Sequence, residues 1–190
     1  QVKIYKFNDE TGKITLVDML RCELESAPRI IKFSPDGRFA YLICELKNYI
    51  SVYSYKDGPR GPVFELVQTI STLNEYHSKG SAACVLRFSR DWNYVLCSNA
   101  GDNSVGIFKI DRETGMLEKI CILPVSGDYP KAADFFPDNR HIMALNHESN
   151  TMTIFHINYE KKYFSLWGKP LKVETPNCIL VSEIEEAPKQ

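Results

Sequence analysis

The sequence predicts an all-β protein, a β-propeller of four-stranded antiparallel blades, with about four blades of a probable seven present. Three observations support this. A unit of one strand, a turn rich in Asp, Gly or Asn, and three further strands occurs three times. Its copies are spaced at blade-like distances, and no window of a dozen residues shows a convincing 3.6-residue helical period. We therefore expect almost no helix.

The repeat is aligned on an aspartate in the turn. "FSPDGRFAYLICELKNYISVYSY" matches "FSRDWNYVLCSNAGDNSVGIFKI", which in turn matches "FFPDNRHIMALNHESNTMTIFHI". The aligned Asp36, Asp91 and Asp138 lie 55 and 47 residues apart, close to the period of propeller repeats. A β-sandwich of about a dozen strands would explain the strand spacing but not this self-similarity.

The units follow one another in a single domain, 1–190. Approximate blade bounds are 1–27 (partial), 28–80, 81–129, 130–176 and 177–190 (partial). In the second unit, strands are expected at Ala82–Phe88, Tyr94–Ser98, Ser104–Ile110 and Met116–Leu123.

The two ends of the sequence each predict part of a unit. "VKIYKFNDETGKITLVDML" aligns with the third and fourth strands of the second unit, and "NCILVSEI" has the character of a first strand. Either the two parts combine into a fourth blade that closes a small ring, or the chain is the later part of a longer propeller. We favour the second interpretation, with the remaining N-terminal blades as partners.

Side chains at equivalent blade positions predict the core. Aromatic residues recur there, and we expect them to pack neighbouring sheets together rather than to bind a ligand. They are Phe39, Tyr41, Phe88, Tyr94, Phe108, Phe135 and Phe155. Six cysteines lie mostly within apolar runs, with no CxxC pair, which favours reduced, buried thiols in a cytoplasmic protein.

Charge and composition narrow the choice of partners. Lys and Arg number 23 against 24 Asp and Glu, so no overall field attracts nucleic acid or an anionic membrane, and we expect neither as a partner. The histidines His77, His141 and His156 lack the spacing of metal ligands. No Gly-rich phosphate loop or nucleophile elbow is present. We expect neither a metal nor another cofactor.

The repeat units resemble a known family. "APRIIKFSPDGRFAYLICELKNYISVYSY", "VLCSNAGDNSVGIFKIDRETGMLEKI" and "PKAADFFPDNRHIMALNHESNTMTIFHI" are similar to consecutive blades of the lactonase family of seven-bladed β-propellers. That family includes bacterial 6-phosphogluconolactonase and fungal muconate-lactonizing enzymes. The resemblance implies an open central cleft lined by a His, a Glu and arginines from several blades.

Three of these four family positions are altered here. "Pro-Arg-His" becomes Pro28-Arg29-Ile30, "Ser-Asn-Arg-Gly" becomes "SNAG" at 98–101, and "Pro-Arg-Asp-Phe" becomes "PKAA" at 130–133. The glutamate of "Asn-Glu-Leu" is kept as Glu45. Lactone hydrolysis needs a base to activate water and donors for the oxyanion, so Glu45 is the candidate catalytic group.

Three further residues are candidates for binding substrate. Arg29 and Lys131 could hold an anionic ligand, and His147 lies in the loop equivalent to Glu45. The alternative for Arg29 and Lys131 is ion pairing at the surface, and for His147 a solvated loop. The alternative for Glu45 is an exposed strand end or an ion pair with Arg29 or Lys47. We expect hydrolysis of a sugar lactone such as 6-phosphogluconolactone. The alternative is a propeller with impaired catalysis that serves as a ligand-binding or protein-interaction platform.

Overall fold

All the strands of the described structure belong to antiparallel sheets. A computed structural model describes residues 1–59, 61–74 and 80–182, and within these ranges there is no helix. The strands are β1 (Val2–Phe7), β2 (Ile14–Leu20), β3 (Pro28–Phe33), β4 (Phe39–Cys44), β5 (Tyr49–Gly58), β6 (Gly61–Ser71), β7 (Ala83–Phe88), β8 (Tyr94–Asn99), β9 (Ser104–Ile110), β10 (Leu117–Pro124), β11 (Pro130–Phe135), β12 (His141–Asn146), β13 (Thr151–Asn158), β14 (Tyr163–Leu166) and β15 (Leu171–Lys172).

The sheets follow the repeat. Strands β3 to β6, β7 to β10 and β11 to β14 form three sheets in which each strand pairs with the next in sequence, and β1 pairs with β2 alone. Every pairing is antiparallel. The predicted propeller blades are confirmed. In the second unit, the predicted strand ends agree with the structure to within one residue.

The turn between the first two strands of each blade explains part of the repeat. Asp36, Asp91 and Asp138 each accept a backbone N–H two residues further on, at 2.8–3.1 Å. The residue after each aspartate has a positive φ of 70°, 56° or 55°. Glycine and asparagine tolerate this conformation, which makes such turns recognisable from sequence.

The core lies between the sheets, as expected for stacked blades. One apolar cluster joins β1–β2 to the first complete sheet, a second joins that sheet to the next, and a third joins the last two sheets. Tyr41, Phe108 and Phe155 are at most 2% exposed. The predicted aromatic positions thus lie between blades, either buried or packed against the buried clusters.

The outer strand of the last sheet differs from the simple repeat. Its partner strand β13 pairs with β14 at one end and with β15 at the other. The interruption falls at 167–170, where Gly168 has a φ of 78° and Pro170 has no backbone N–H. The sequence did not predict this break.

The segment after the third complete sheet also departs from expectation. Residues 177–182 form no strand, so the first-strand prediction for "NCILVSEI" does not hold there, and residues 183–190 lie outside the described residues. A strand needs backbone hydrogen bonds from a neighbour, and none of the described strands pairs with this segment. Ile179 instead packs against the last apolar cluster. Cys178 is exposed, unlike the four buried cysteines Cys44, Cys84, Cys97 and Cys121.

Candidate functional site

The candidate site lies where the first strand of each blade begins and the second strand ends. The residues just after β4, β8 and β12 donate backbone hydrogen bonds of 2.8–3.0 Å to the residues preceding β3, β7 and β11. Glu45 also links two blades, because its carbonyl oxygen accepts the N–H of Ala83 at 3.0 Å. The backbone at this rim is therefore fixed on both sides of Glu45.

Arg29 and Glu45 form an ion pair at this rim. Arg29 Nη1 lies 2.7 Å from Glu45 Oε2, and the side chains are 43% and 30% exposed, respectively. The hydrogen bond to Glu45 raises the pKa of Arg29. The structure thus decides between the two partners considered for Glu45, since Lys47 instead pairs with Glu23 at 3.4 Å. The partly exposed carboxylate can contact water, and the guanidinium beside it can bind an anionic ligand.

Cys84 occupies the position on β7 that corresponds to Arg29 on β3 and Lys131 on β11, seven residues before each turn aspartate. Burial raises the pKa of the Cys84 thiol, Arg29 and Lys131 act to lower it, and Glu45 acts to raise it. Arg29, Glu45 and Lys131 are therefore each within electrostatic range of Cys84. Sequence reasoning assigned Cys84 only to the core, although its spacing from Asp91 could have placed it in the site.

Lys131 lies at the same rim but contacts an aromatic ring, whereas Arg29 contacts a carboxylate. Its Nζ is 5.7 Å from the centre of the Tyr129 ring, a cation–π arrangement. Tyr129 itself has a φ of 59° and precedes the inner strand β11. The structure therefore provides an aromatic neighbour for Lys131 that the sequence did not indicate.

His147 follows β12 in the position that Glu45 holds after β4. Its backbone N–H donates to the carbonyl oxygen of Tyr129 at 3.0 Å, and its ring Nδ1 lies 3.2 Å from the carbonyl oxygen of Pro176. The ring therefore contacts the segment that follows β15.

Two altered family positions have become part of the core. Ala100, equivalent to Glu45 and His147, is fully buried and belongs to the apolar cluster between the last two sheets. Ile30, at the position where the resemblance implies a histidine, packs against the cluster between the first two complete sheets. These positions contribute packing here, not polar groups for catalysis.

The histidines away from the rim lie in an aromatic cluster. His141 Nδ1 is 2.6 Å from Asp138 Oδ2, and its ring lies 5.1 Å from His156 and 5.2 Å from Trp167, centroid to centroid. His77 lies outside the described residues. Across the described ranges, no group of three His, Cys, Asp or Glu is arranged to hold a metal ion. Those same ranges contain no helix long and apolar enough to span a membrane.

Comparison with known families agrees with this architecture. A sequence profile described as "Lactonase, 7-bladed beta-propeller" matches residues 1–181. The chain belongs to the lactonase family of seven-bladed β-propellers. The match covers nearly the whole chain and confirms the family that the sequence motifs indicated.

Individual relatives cover the same region. An uncharacterized protein of Lactococcus lactis subsp. cremoris is 31% identical over 180 residues, which is 95% of this chain and 52% of that protein. The 6-phosphogluconolactonase of Bacillus subtilis is 23% identical over 93% of this chain and 50% of its own length. This lactonase-family chain therefore spans about half the length of the curated relatives it matches.

Solved structures show the same fold. A Lactobacillus plantarum protein superposes with a TM-score of 0.80 at 26% identity, over 91% of this chain and 50% of that structure. The periplasmic gluconolactonase PpgL of Pseudomonas aeruginosa gives a TM-score of 0.83 at 23% identity, over 93% and 50% of the two chains. The second similarity supports the propeller fold alone.

Proposed function

We propose that the lactonase-family protein represented by this chain hydrolyses a sugar lactone, with 6-phosphogluconolactone as the first substrate to test. The observation that carries the proposal is the match of residues 1–181 to the lactonase family. Glu45 and Arg29, 2.7 Å apart at the rim, are the groups that we assign to the reaction. The four buried, free thiols suit a cytoplasmic protein, and cell fractionation would test this location.

The proposed mechanism uses the two members of the pair differently. Glu45 accepts a proton from water as that water attacks the lactone carbonyl carbon. The ring C–O bond then breaks, and the protonated Glu45 returns the proton to the leaving ring oxygen, which gives the hydroxy acid. Arg29 leaves Glu45 to bind the substrate phosphate. Lys131 supplies a second cation on the same rim, and His147 is a further polar group at its edge.

The test is a hydrolysis assay on the full-length protein. Gluconolactone and 6-phosphogluconolactone are compared for wild type, Glu45→Gln and Arg29→Met. Removal of the general base should lower kcat by about 100-fold or more, whereas Arg29→Met should mainly raise KM for the phosphorylated substrate. A control is Glu118→Gln, which removes a glutamate paired with Lys162 at 3.0 Å on the outer strand β10, and it should stay within about twofold of wild type.

Two results would refute the proposal. One is equal rates for wild type and Glu45→Gln. The other is the absence of any rate above spontaneous lactone opening. The second of these results would favour the second candidate function.

That second candidate is a propeller that binds a ligand or protein without turnover. It is favoured by the buried Ala100 and the core-packed Ile30, which stand where the family has an arginine and a histidine. A thermal-shift screen should then find a metabolite or partner that raises the melting temperature without being consumed. Efficient lactone turnover would exclude it.

A further inference from the structure

A second set of charged residues lies at the other end of the inner strands. Lys32, Arg87 and Asp134 hold the same position in β3, β7 and β11, four residues before the turn aspartate of their blade. Lys32 is three residues along β3 from Arg29, which corresponds to about 10 Å in an extended strand. The two charged sets are therefore separate along the strand direction.

These residues line a cavity of about 470 Å³. Arg87 Nε lies 3.3 Å from Asp134 Oδ2, and the side chains are 28% and 19% exposed. Burial raises the pKa of Asp134, while Arg87 and Lys32 both act to lower it, so all three groups share one local field. Within this set of three groups, two cations share one carboxylate, and a bound anion would balance the second cation.

Trp92 provides an apolar wall for the same cavity. It stacks on Phe88, with ring centres 4.3 Å apart and ring planes at 26°. Its φ is 56°, and the equivalent residues of the other blades are Gly37 and Asn139, at 70° and 55°. A left-handed conformation is costly for a bulky residue, and such strain is often kept at ligand sites.

We propose that this cavity binds a small organic anion in which a phosphate or carboxylate meets Lys32 and Arg87 and a flat apolar part rests against Trp92. The cavity volume suits a ligand of small-metabolite size. Ile179 lies on the cavity wall as well, so the segment after β15 contributes to its lining. This site is distinct from the Arg29–Glu45 rim and does not depend on lactone hydrolysis.

The test is calorimetric titration of the full-length protein with phenyl phosphate, benzoate, inorganic phosphate and neutral phenol. Phenyl phosphate or benzoate should bind saturably with a Kd below about 1 mM, and phenol should bind at least tenfold more weakly. Tighter binding of phenyl phosphate than of benzoate would indicate a phosphate site, and the reverse order would indicate a carboxylate site. No saturable binding of either anionic aromatic probe would overturn the proposal.

Variants assign the binding to this cavity. Arg87→Met and Lys32→Met should each raise the Kd about tenfold, since each loses a charge-assisted contact. Lys32→Met leaves the Arg87–Asp134 pair in place, so it remains informative if Arg87→Met folds poorly. Trp92→Asn adopts the residue type of Asn139 and should weaken phenyl phosphate about fivefold while inorganic phosphate changes less than twofold.

Controls separate this site from the rim. Arg21→Met removes an exposed arginine elsewhere and should leave the Kd unchanged. Arg29→Met and Glu45→Gln should also leave the Kd of this cavity unchanged, whatever their effect on hydrolysis or on phosphate binding at the rim. Loss of all probe binding in Arg29→Met, or wild-type binding in both Lys32→Met and Arg87→Met, would contradict the proposal.

Discussion

Gly115 offers a quantitative test of how two blades pack together. It ends the "DRETG" turn between β9 and β10 with a φ of 73°, and a Cβ placed there would lie 2.4–2.8 Å from three ring atoms of Phe39 in the preceding blade. Phe39 is 8% exposed, so its ring has little room to move. Gly115→Ala therefore combines a strained backbone with an inter-blade clash.

Gly12 is the matched control. It ends the similar turn "NDETG" with a φ of 66°, but a Cβ at this position would have no neighbouring atom within 4 Å. Both turns are closed by the glycine N–H donating to a carbonyl oxygen four residues earlier, at 2.7 Å for Gly115 and 2.8 Å for Gly12. Gly12→Ala thus carries the backbone cost alone.

The expected free energies follow from these geometries. An alanine in the left-handed region costs about 1–2 kcal/mol, and forcing extra volume into a packed core costs about 1–3 kcal/mol more. We expect Gly115→Ala to lower the free energy of unfolding by about 2–5 kcal/mol and Gly12→Ala by about 1–2 kcal/mol. Urea denaturation followed by circular dichroism measures both. Equal destabilisation by the two substitutions would refute the inter-blade packing argument.

Three further predictions concern buried tyrosine and cysteine side chains. Tyr41→Phe should lower the free energy of unfolding by about 1 kcal/mol, because the Tyr41 hydroxyl donates a buried 3.0 Å hydrogen bond to the Gly115 carbonyl oxygen; unchanged urea denaturation would contradict this. Burial raises the pKa of Tyr41 to about 12, above the ordinary value of about 10, so the folded state holds this proton more tightly. The protonated Tyr41 hydroxyl stabilises the folded state by an amount on the order of 2 kcal/mol, which is present below about pH 10 and is lost as the pH rises toward 12. The free energy of unfolding should therefore fall less steeply with rising alkaline pH in Tyr41→Phe, and identical pH profiles for the two proteins would count against this prediction. Exposed Cys178 should react with a thiol reagent within minutes, whereas Cys97, fully buried with its pKa raised to about 12, should react only after unfolding, as peptide mass mapping would show.

The architecture could be predicted from the sequence because its signals are local. The turn aspartates and the Gly or Asn that follows them mark the first hairpin of each blade, and alternating β-branched and aromatic residues mark the strands. A period repeated three times then identifies stacked sheets, since each unit needs a neighbour to bury its apolar face. Trp92 is the exception among the turn residues, and its strain is visible only in the structure.

The candidate site was only partly predictable. Glu45, Arg29, Lys131 and His147 are placed at one end of the blades by their spacing from the turn aspartates. Spacing does not reveal that Glu45 pairs with Arg29 rather than Lys47, that His147 faces the Pro176 carbonyl, or that Cys84 lies between charged groups.

The sequence by itself determined the repeat, the strand order and the family to which the chain belongs. Only the tertiary structure decided which side chains meet across blades, including the cavity of Lys32, Arg87 and Asp134. The physical reason is range: turns and strands are set by neighbours a few residues apart, whereas the Arg87–Asp134 contact joins residues 47 positions apart in sequence. Such contacts exist only after the blades have packed.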